Sequence, residues 1–151
     1  ILFLFPKILY GNVSYEVGLH SSTLLQEIKS SLPKKPNSFY TFEKELENYL
    51  ASHPFVKKDF SLSQMSFDLK MPERFLSNYF NKEMQKTFGE WKNDLRIEYA
   101  CQLIEEGNAK KITIEAISTD AGFVSRSKFI DAFKARKGVT PSVYIKEKAE
   151  A

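Results

Sequence analysis

The sequence predicts an all-α fold: seven helices forming two helix-turn-helix subdomains joined by a long linker helix. Three observations lead there. Residues 112–144, ITIEAISTDAGFVSRSKFIDAFKARKGVTPSVY, read as a helix, a tight turn, a second helix and a Thr-Pro helix start. Residues 61–91, SLSQMSFDLKMPERFLSNYFNKEMQKTFGEW, repeat that layout upstream. Between the two copies lies one long amphipathic segment. Internal self-similarity fixes architecture more firmly than any local pattern, because two aligned copies are hard to produce by accident.

The helices follow in order. FEKELENYLASHPF starts the helical unit near Thr41, and its helix ends at His53-Pro54, since a residue before proline is pushed out of helical geometry. Ser61 with Gln64 resembles a capping box for the second helix. Pro72 suits the first position of the third, where its missing N–H costs nothing. Residues 89–106 form the long helix, stopped by Gly107-Asn108. Thr113, Ser125 and Thr140-Pro141 then start the last three helices.

The two copies align residue by residue. Phe133 matches Phe80, Phe129 matches Leu76, Tyr144 matches Trp91 and Pro141 matches Phe88. In the first helix of each unit, Ser118 matches Ser66 and Gly122 matches Lys70, and the offset changes by one residue at the turn. The later copy therefore has the longer turn. Ile114, Ile117 and Ala121 recur at helical spacing, and Gly122 permits the positive φ of a tight turn. In the following helix, Phe129, Ile130 and Phe133 share an apolar face, and Arg126, Ser127, Lys128, Asp131 and Lys134 occupy the other. In the first copy Arg74, Ser77 and Asn78 project opposite Phe75, Leu76, Tyr79 and Phe80. A helix-turn-helix places such a second helix in the DNA major groove.

Residues 41–148 resemble the DNA-binding domain of the AraC/XylS family of bacterial transcription regulators. LRIEYACQLIEEG, ITIEAISTDAGF and SKFIDAFKARKGVTPSVY carry the resemblance, in that order. The chain departs from the family at Gln85, where the first copy usually has Gly, at Ser118, where Ala is usual, and at Ile145-Lys146, where Arg usually follows the Tyr. The resemblance implies double-stranded DNA as partner, read at bases by Arg74, Ser77, Asn78, Arg126, Ser127 and Asp131. It implies phosphate contacts from Ser125, Lys128 and Lys134. Arg suits guanine O6 and N7, and Asn suits adenine N6 and N7. Asp131 has two readings, accepting from cytosine N4 or pairing with Lys128 or Lys134 on its own helix. The further partners under this reading are RNA polymerase, a second copy joined through an upstream region, and a membrane tether upstream. A cytoplasmic location and no cofactor complete it.

Charge and composition bound the alternatives. A net charge of +3 is too small to announce nucleic-acid binding. Its distribution says more: between Lys110 and Lys148 nine basic residues face four acidic ones, the electrostatic footprint of a phosphate-facing surface. The single cysteine, Cys101, lies on the stripe Leu95, Ile97, Ala100, Ile104 and reads as core. His20 and His53 are isolated, and no metal-ligand spacing, Gly-rich phosphate loop or G-x-S-x-G supports an enzyme. The aromatics Phe75, Tyr79, Phe80, Phe88, Trp91, Phe123, Phe129 and Phe133 read as core rather than base-stacking platforms. A rival function is a helical interaction module whose basic face binds an acidic partner. Such a module has no need of two matched probes.

Residues 1–40 read as an appendage and linker, the end of a preceding sensor or membrane-associated region, with 41–149 as the DNA-binding domain. ILFLFPKILYG is apolar but shorter than the ~20 residues that cross a bilayer. The chain begins with Ile rather than Met, which suggests part of a longer polypeptide. Gly11-Asn12 suits a turn, Val13, Tyr15, Val17 and Leu19 alternate as a strand would, and SSLPKKPNS reads as a linker. At ~1.5 Å per residue the long helix spans ~27 Å. With its flanking packing it could hold two recognition helices about one DNA turn (~34 Å) apart, so that one chain addresses two successive major-groove segments. A stiff linker would then bend the duplex, adding shape readout.

Overall fold

The computed structural model describes residues 37–107 and 113–150. The expected turn at Gly11-Asn12, the alternation of Val13 to Leu19, and Asn108, Lys110 and Lys111 lie outside these residues. The described residues form seven α-helices and no strand: α1 Asn37–Leu50, α2 Leu62–Leu69, α3 Glu73–Lys82, α4 Phe88–Glu106, α5 Ile114–Asp120, α6 Arg126–Lys137 and α7 Pro141–Glu150. A single 3-10 turn, Pro54–Val56, separates α1 from α2.

Helix α1 begins at Asn37, directly after Pro36 in sequence and inside the stretch expected as linker. Three of its apolar residues, Phe42, Leu46 and Leu50, recur every fourth position and are fully buried. They form one core with Phe55, Phe60, Met65, Leu76, Tyr79, Phe80, Trp91 and Leu95. A second core gathers Ile97, Ala100, Cys101, Ile104, Ile117, Ala121, Phe123, Phe129 and Phe133. The linker helix therefore spans ~28 Å and belongs to both, its first half to one core and its second half to the other. Tyr99 packs against both clusters at the changeover.

Helix starts follow the sequence with small changes. Ser61 accepts from the Gln64 N–H at 3.2 Å, but the Gln64 side chain turns to Asp68 instead of back to the cap, so the box is only half made. The complete capping box is at Thr87 and Glu90, where each side chain bonds the other's backbone N–H. That places the start of α4 at Phe88. Pro72 is the N-cap of α3 rather than its first residue, and its carbonyl accepts from Phe75 and Leu76. Thr113 and Ser125 cap α5 and α6 as expected.

Candidate nucleic-acid interface

The two helix-turn-helix units close their turns with the same hydrogen bonds. In the first, Lys70 N–H donates to Phe67 O at 3.3 Å and Met71 N–H to Ser66 O at 3.0 Å. In the second, Gly122 N–H donates to Thr119 O and Phe123 N–H to Ser118 O, both at 3.0 Å. Lys70 (φ 53°) and Gly122 (φ 85°) both sit in the left-handed region. This 6→1 and associated bonding satisfies carbonyls that the helix end would otherwise leave open. The extra residue of the second turn is Val124, which is 75% exposed.

Beyond each turn, the second helix of the unit buries one face and exposes the other. On α3, Leu76, Tyr79 and Phe80 are buried, and Arg74 and Asn78 are exposed with Ser77 partly so. Tyr79 thus belongs to the core. Phe75 reaches the border: it is 36% exposed and meets the Phe42 ring edge-on at 5.2 Å. On α6, Phe129 and Phe133 are fully buried, and Ser125, Arg126, Ser127, Lys128, Asp131 and Lys134 are all exposed. Among the described residues Asp131 makes no ion pair with Lys128 or Lys134, which leaves its carboxylate open to solvent. Ser125 Oγ accepts from Lys128 N–H at 3.4 Å, so the hydroxyl proton is still available to a phosphate oxygen.

The basic excess over residues 110–148 is divided rather than spread over one surface. At the end of α6, Arg136 and Lys137 turn toward α4: Lys137 Nζ reaches Glu98 Oε1 at 2.9 Å and Arg136 Nε lies 3.5 Å from the same oxygen. Arg136 Nε also lies 3.6 Å from Asp94, which Lys86 contacts from the first unit. Lys148 pairs with Glu105 at 3.0 Å, and Tyr144 donates to the same carboxylate at 2.9 Å. Those bonds hold Glu105 below the usual carboxylate range, the Lys148 contact most of all. What remains outward on α6 is Arg126, Lys128 and Lys134, the positions the sequence singled out.

Asn81 is a residue the sequence reading passed over. It lies on the exposed face of α3, one turn beyond Ser77, and donates to Ser77 Oγ at 3.4 Å. It occupies the place that Lys134 holds on α6, a match the repeat alignment already contained. An open groove of about 480 Å³ crosses between the units, lined by Gln85, Lys86, Glu90, Asn93, Asp94, Ala132, Ala135 and Arg136. Its central carboxylate, Asp94, is already matched by Lys86 and Arg136. Cys101 is buried, and burial pushes its thiol up to about 11, the chemistry of an inert core cysteine. Among the described residues no cluster of three potential metal ligands occurs, and no helix is long and apolar enough to cross a membrane.

Comparison with known proteins agrees with this geometry. A family model described as a helix-turn-helix domain matches residues 65–147. The HTH-type transcriptional regulator NimR of Escherichia coli (strain K12) is 26% identical in an alignment of 133 residues that covers 81% of this chain. The chain spans 45% of that relative's length. The C-terminal domain of the two-component response regulator yesN of Fusobacterium nucleatum is 26% identical, with a TM-score of 0.57 over 68% of this chain and 96% of that one. The C-terminal domain of AraT, a response regulator of Geobacillus stearothermophilus, shares the fold with a TM-score of 0.59 at 24% identity, over 69% of this chain and 83% of that one.

Proposed function

The chain belongs to the AraC-type helix-turn-helix family of DNA-binding transcriptional regulators, and from that membership we propose that one copy of it reads two successive major-groove segments of double-stranded DNA, one with α3 and one with α6. The observation that carries this reading is the matched pair of turns closed by the same backbone bonds, each followed by a helix with one buried and one polar face. Both of those helices pack on α4. The DNA-binding unit is residues 41–149, whose first core takes in Phe42, Leu46 and Leu50 of α1.

Roles follow from chemistry and exposure. Arg74 and Arg126 donate bidentately to guanine, Asn78 pairs with adenine, and Ser77 and Ser127 bond to base edges. Asp131, with no lysine partner on its own helix, accepts from cytosine N4. Ser125, Lys128 and Lys134 hold phosphates and set register without reading sequence.

The test is selection of duplexes from a random library by the purified chain. A bipartite sequence is expected to be enriched. Arg74→Ala and Arg126→Ala should each lose ~1–3 kcal/mol and relax preference at different base pairs. Lys134→Ala should weaken all sequences alike and reduce the salt slope by about one unit. Absence of any enriched sequence would sink the reading. An enriched sequence that neither arginine substitution alters would sink the residue assignments.

A further inference from the structure

The Pro54–Val56 turn precedes the first helix-turn-helix pair in sequence, yet it touches both units in space. Phe55 lies within the first core. From α4, Arg96 Nε donates to Phe55 O at 2.7 Å and Nη2 to Lys57 O at 2.9 Å. Lys92, one helical turn earlier, donates to Phe60 O at 3.1 Å. From the second unit, Gly122 comes so close that a Cβ would lie 2.8 Å from both Val56 Cα and its carbonyl carbon. The guanidinium carbon of Arg96 is 5.7 Å from the centre of the Phe123 ring. Beside this node, the His53 ring lies 4.9 Å from that of Tyr99, the residue shared by the two cores.

Arg96 is 4% exposed and has no carboxylate partner among the described residues. An unpaired buried charge is costly, and an apolar residue of similar size would fill the space with less penalty. What a guanidinium adds is direction. Its planar fork of N–H groups can satisfy two carbonyls only at one rotation of the turn relative to the helix. Asp94 and Glu98 also tie the units together, from nearly the opposite side of α4, two residues being ~200° apart on a helix. Those ion pairs are partly solvated, and water screens much of their attraction.

We propose that Arg96 is a positioning residue: by holding the Pro54–Val56 turn between α4 and the turn at Gly122 and Phe123, it fixes the angle between α3 and α6, and so the spacing of the two DNA segments one chain accepts. This rests on the DNA-reading proposal above. Inserting one base pair moves the second segment by ~3.4 Å and turns it by ~35°. A rigid two-headed reader cannot follow that change, whereas a loosely hinged one can.

The experiment uses the full chain and the duplex it enriches, with versions one base pair longer or shorter at the centre. The wild-type chain should lose roughly tenfold or more in Kd on either altered duplex, because linked heads lose their joint advantage when they cannot engage together. Arg96→Lys and Gly122→Ala should bind the best duplex less tightly and reduce that spacing penalty to about threefold or less. A wild type indifferent to spacing, or variants that weaken equally at every spacing, would overturn the proposal and leave Arg96 a core residue only. A second readout needs no DNA. Spin labels at Asn81→Cys and Lys134→Cys, with the buried Cys101 unlabelled, should give one narrow distance that broadens in Arg96→Lys. An unchanged width overturns the proposal, even where a variant has lost affinity through poor folding. If no duplex is enriched at all, the DNA-reading proposal fails, and the label distances still decide whether Arg96 sets the angle.

Discussion

The two helix-turn-helix units differ most where they look most alike. Both need a left-handed residue at the end of the first helix, and the first uses Lys70 where the second uses Gly122. After each second helix the same contrast recurs, with Gln85 (φ 52°) in the first unit and Gly138 (φ 79°) in the second. A side chain in that region costs roughly 1–2 kcal/mol. The first unit accepts that cost twice. Only at Gly122 does sterics forbid the alternative, because the Val56 backbone occupies the space of a Cβ, and at Gly138 nothing lies within 4 Å. The difference teaches that glycine at Gly122 answers to the other unit as much as to its own turn.

Surface chemistry separates the two probes as well. Helix α6 keeps Arg126, Lys128 and Lys134 outward, whereas α3 presents Arg74 among the neutral polar residues Ser77, Asn78 and Asn81. On the DNA-reading proposal, α6 supplies more of the salt-dependent affinity and α3 relies more on hydrogen bonds to base edges.

The largest effects should come from the matched core phenylalanines. Phe80→Ala and Phe133→Ala each remove a fully buried ring and should cost ~3–5 kcal/mol in denaturant unfolding. Amide exchange should show the loss first in the unit that carries the substitution. Equal loss in both units would mean the two cores unfold as one, and the comparison would blur. Next come the left-handed positions. Gly122→Ala should destabilise by ~2 kcal/mol or more, since strain adds to collision with Val56, while Gly138→Ala should cost only ~1 kcal/mol. Lys70→Gly should instead raise the unfolding midpoint, by up to ~1 kcal/mol of stability. Similar losses at Gly122 and Gly138 would contradict the steric account.

The helix caps should give the smallest effects. Thr87→Ala should cost ~1 kcal/mol, and Ser125→Ala nearer ~0.5 kcal/mol, because only Thr87 has a reciprocal partner. The Thr87 backbone N–H, and then its hydroxyl, hold the Glu90 carboxyl below its ordinary value. A depressed folded pKa contributes stability that is present above the unfolded value, ~4.3, and is lost as pH falls through the folded one. The gap between wild type and Thr87→Ala should therefore narrow below about pH 4. A gap independent of pH would remove the Thr87 hydroxyl from the causes that depress Glu90.

Most of the architecture was legible because it is written twice. Phe80 with Phe133, Leu76 with Phe129, and Lys70 with Gly122 could be paired from spacing alone, and the structure gives each pair equivalent burial or the same turn. The exposed face of each second helix was legible for the same reason. Elsewhere the signal was local and was misjudged: Ser61 and Gln64 looked like the capping box, while Thr87 and Glu90, with the same spacing, form it completely. The basic excess could not be sorted by counting, since Arg136 and Lys137 differ from Lys134 only in which side of α6 meets Asp94 and Glu98. Arg96 was hidden in a helix read for its apolar stripe, because its partners are carbonyls 39 and 41 residues away that carry no sequence signature.

Hydroxyl-radical footprinting of the full chain on its enriched duplex, with the protein-to-DNA ratio measured in the same complex, tests the central claim most directly. One chain per duplex should protect two patches about one helical turn apart on the same face. A single patch, patches on opposite faces, or a requirement for two chains to produce both would contradict the reading of α3 and α6 as paired probes.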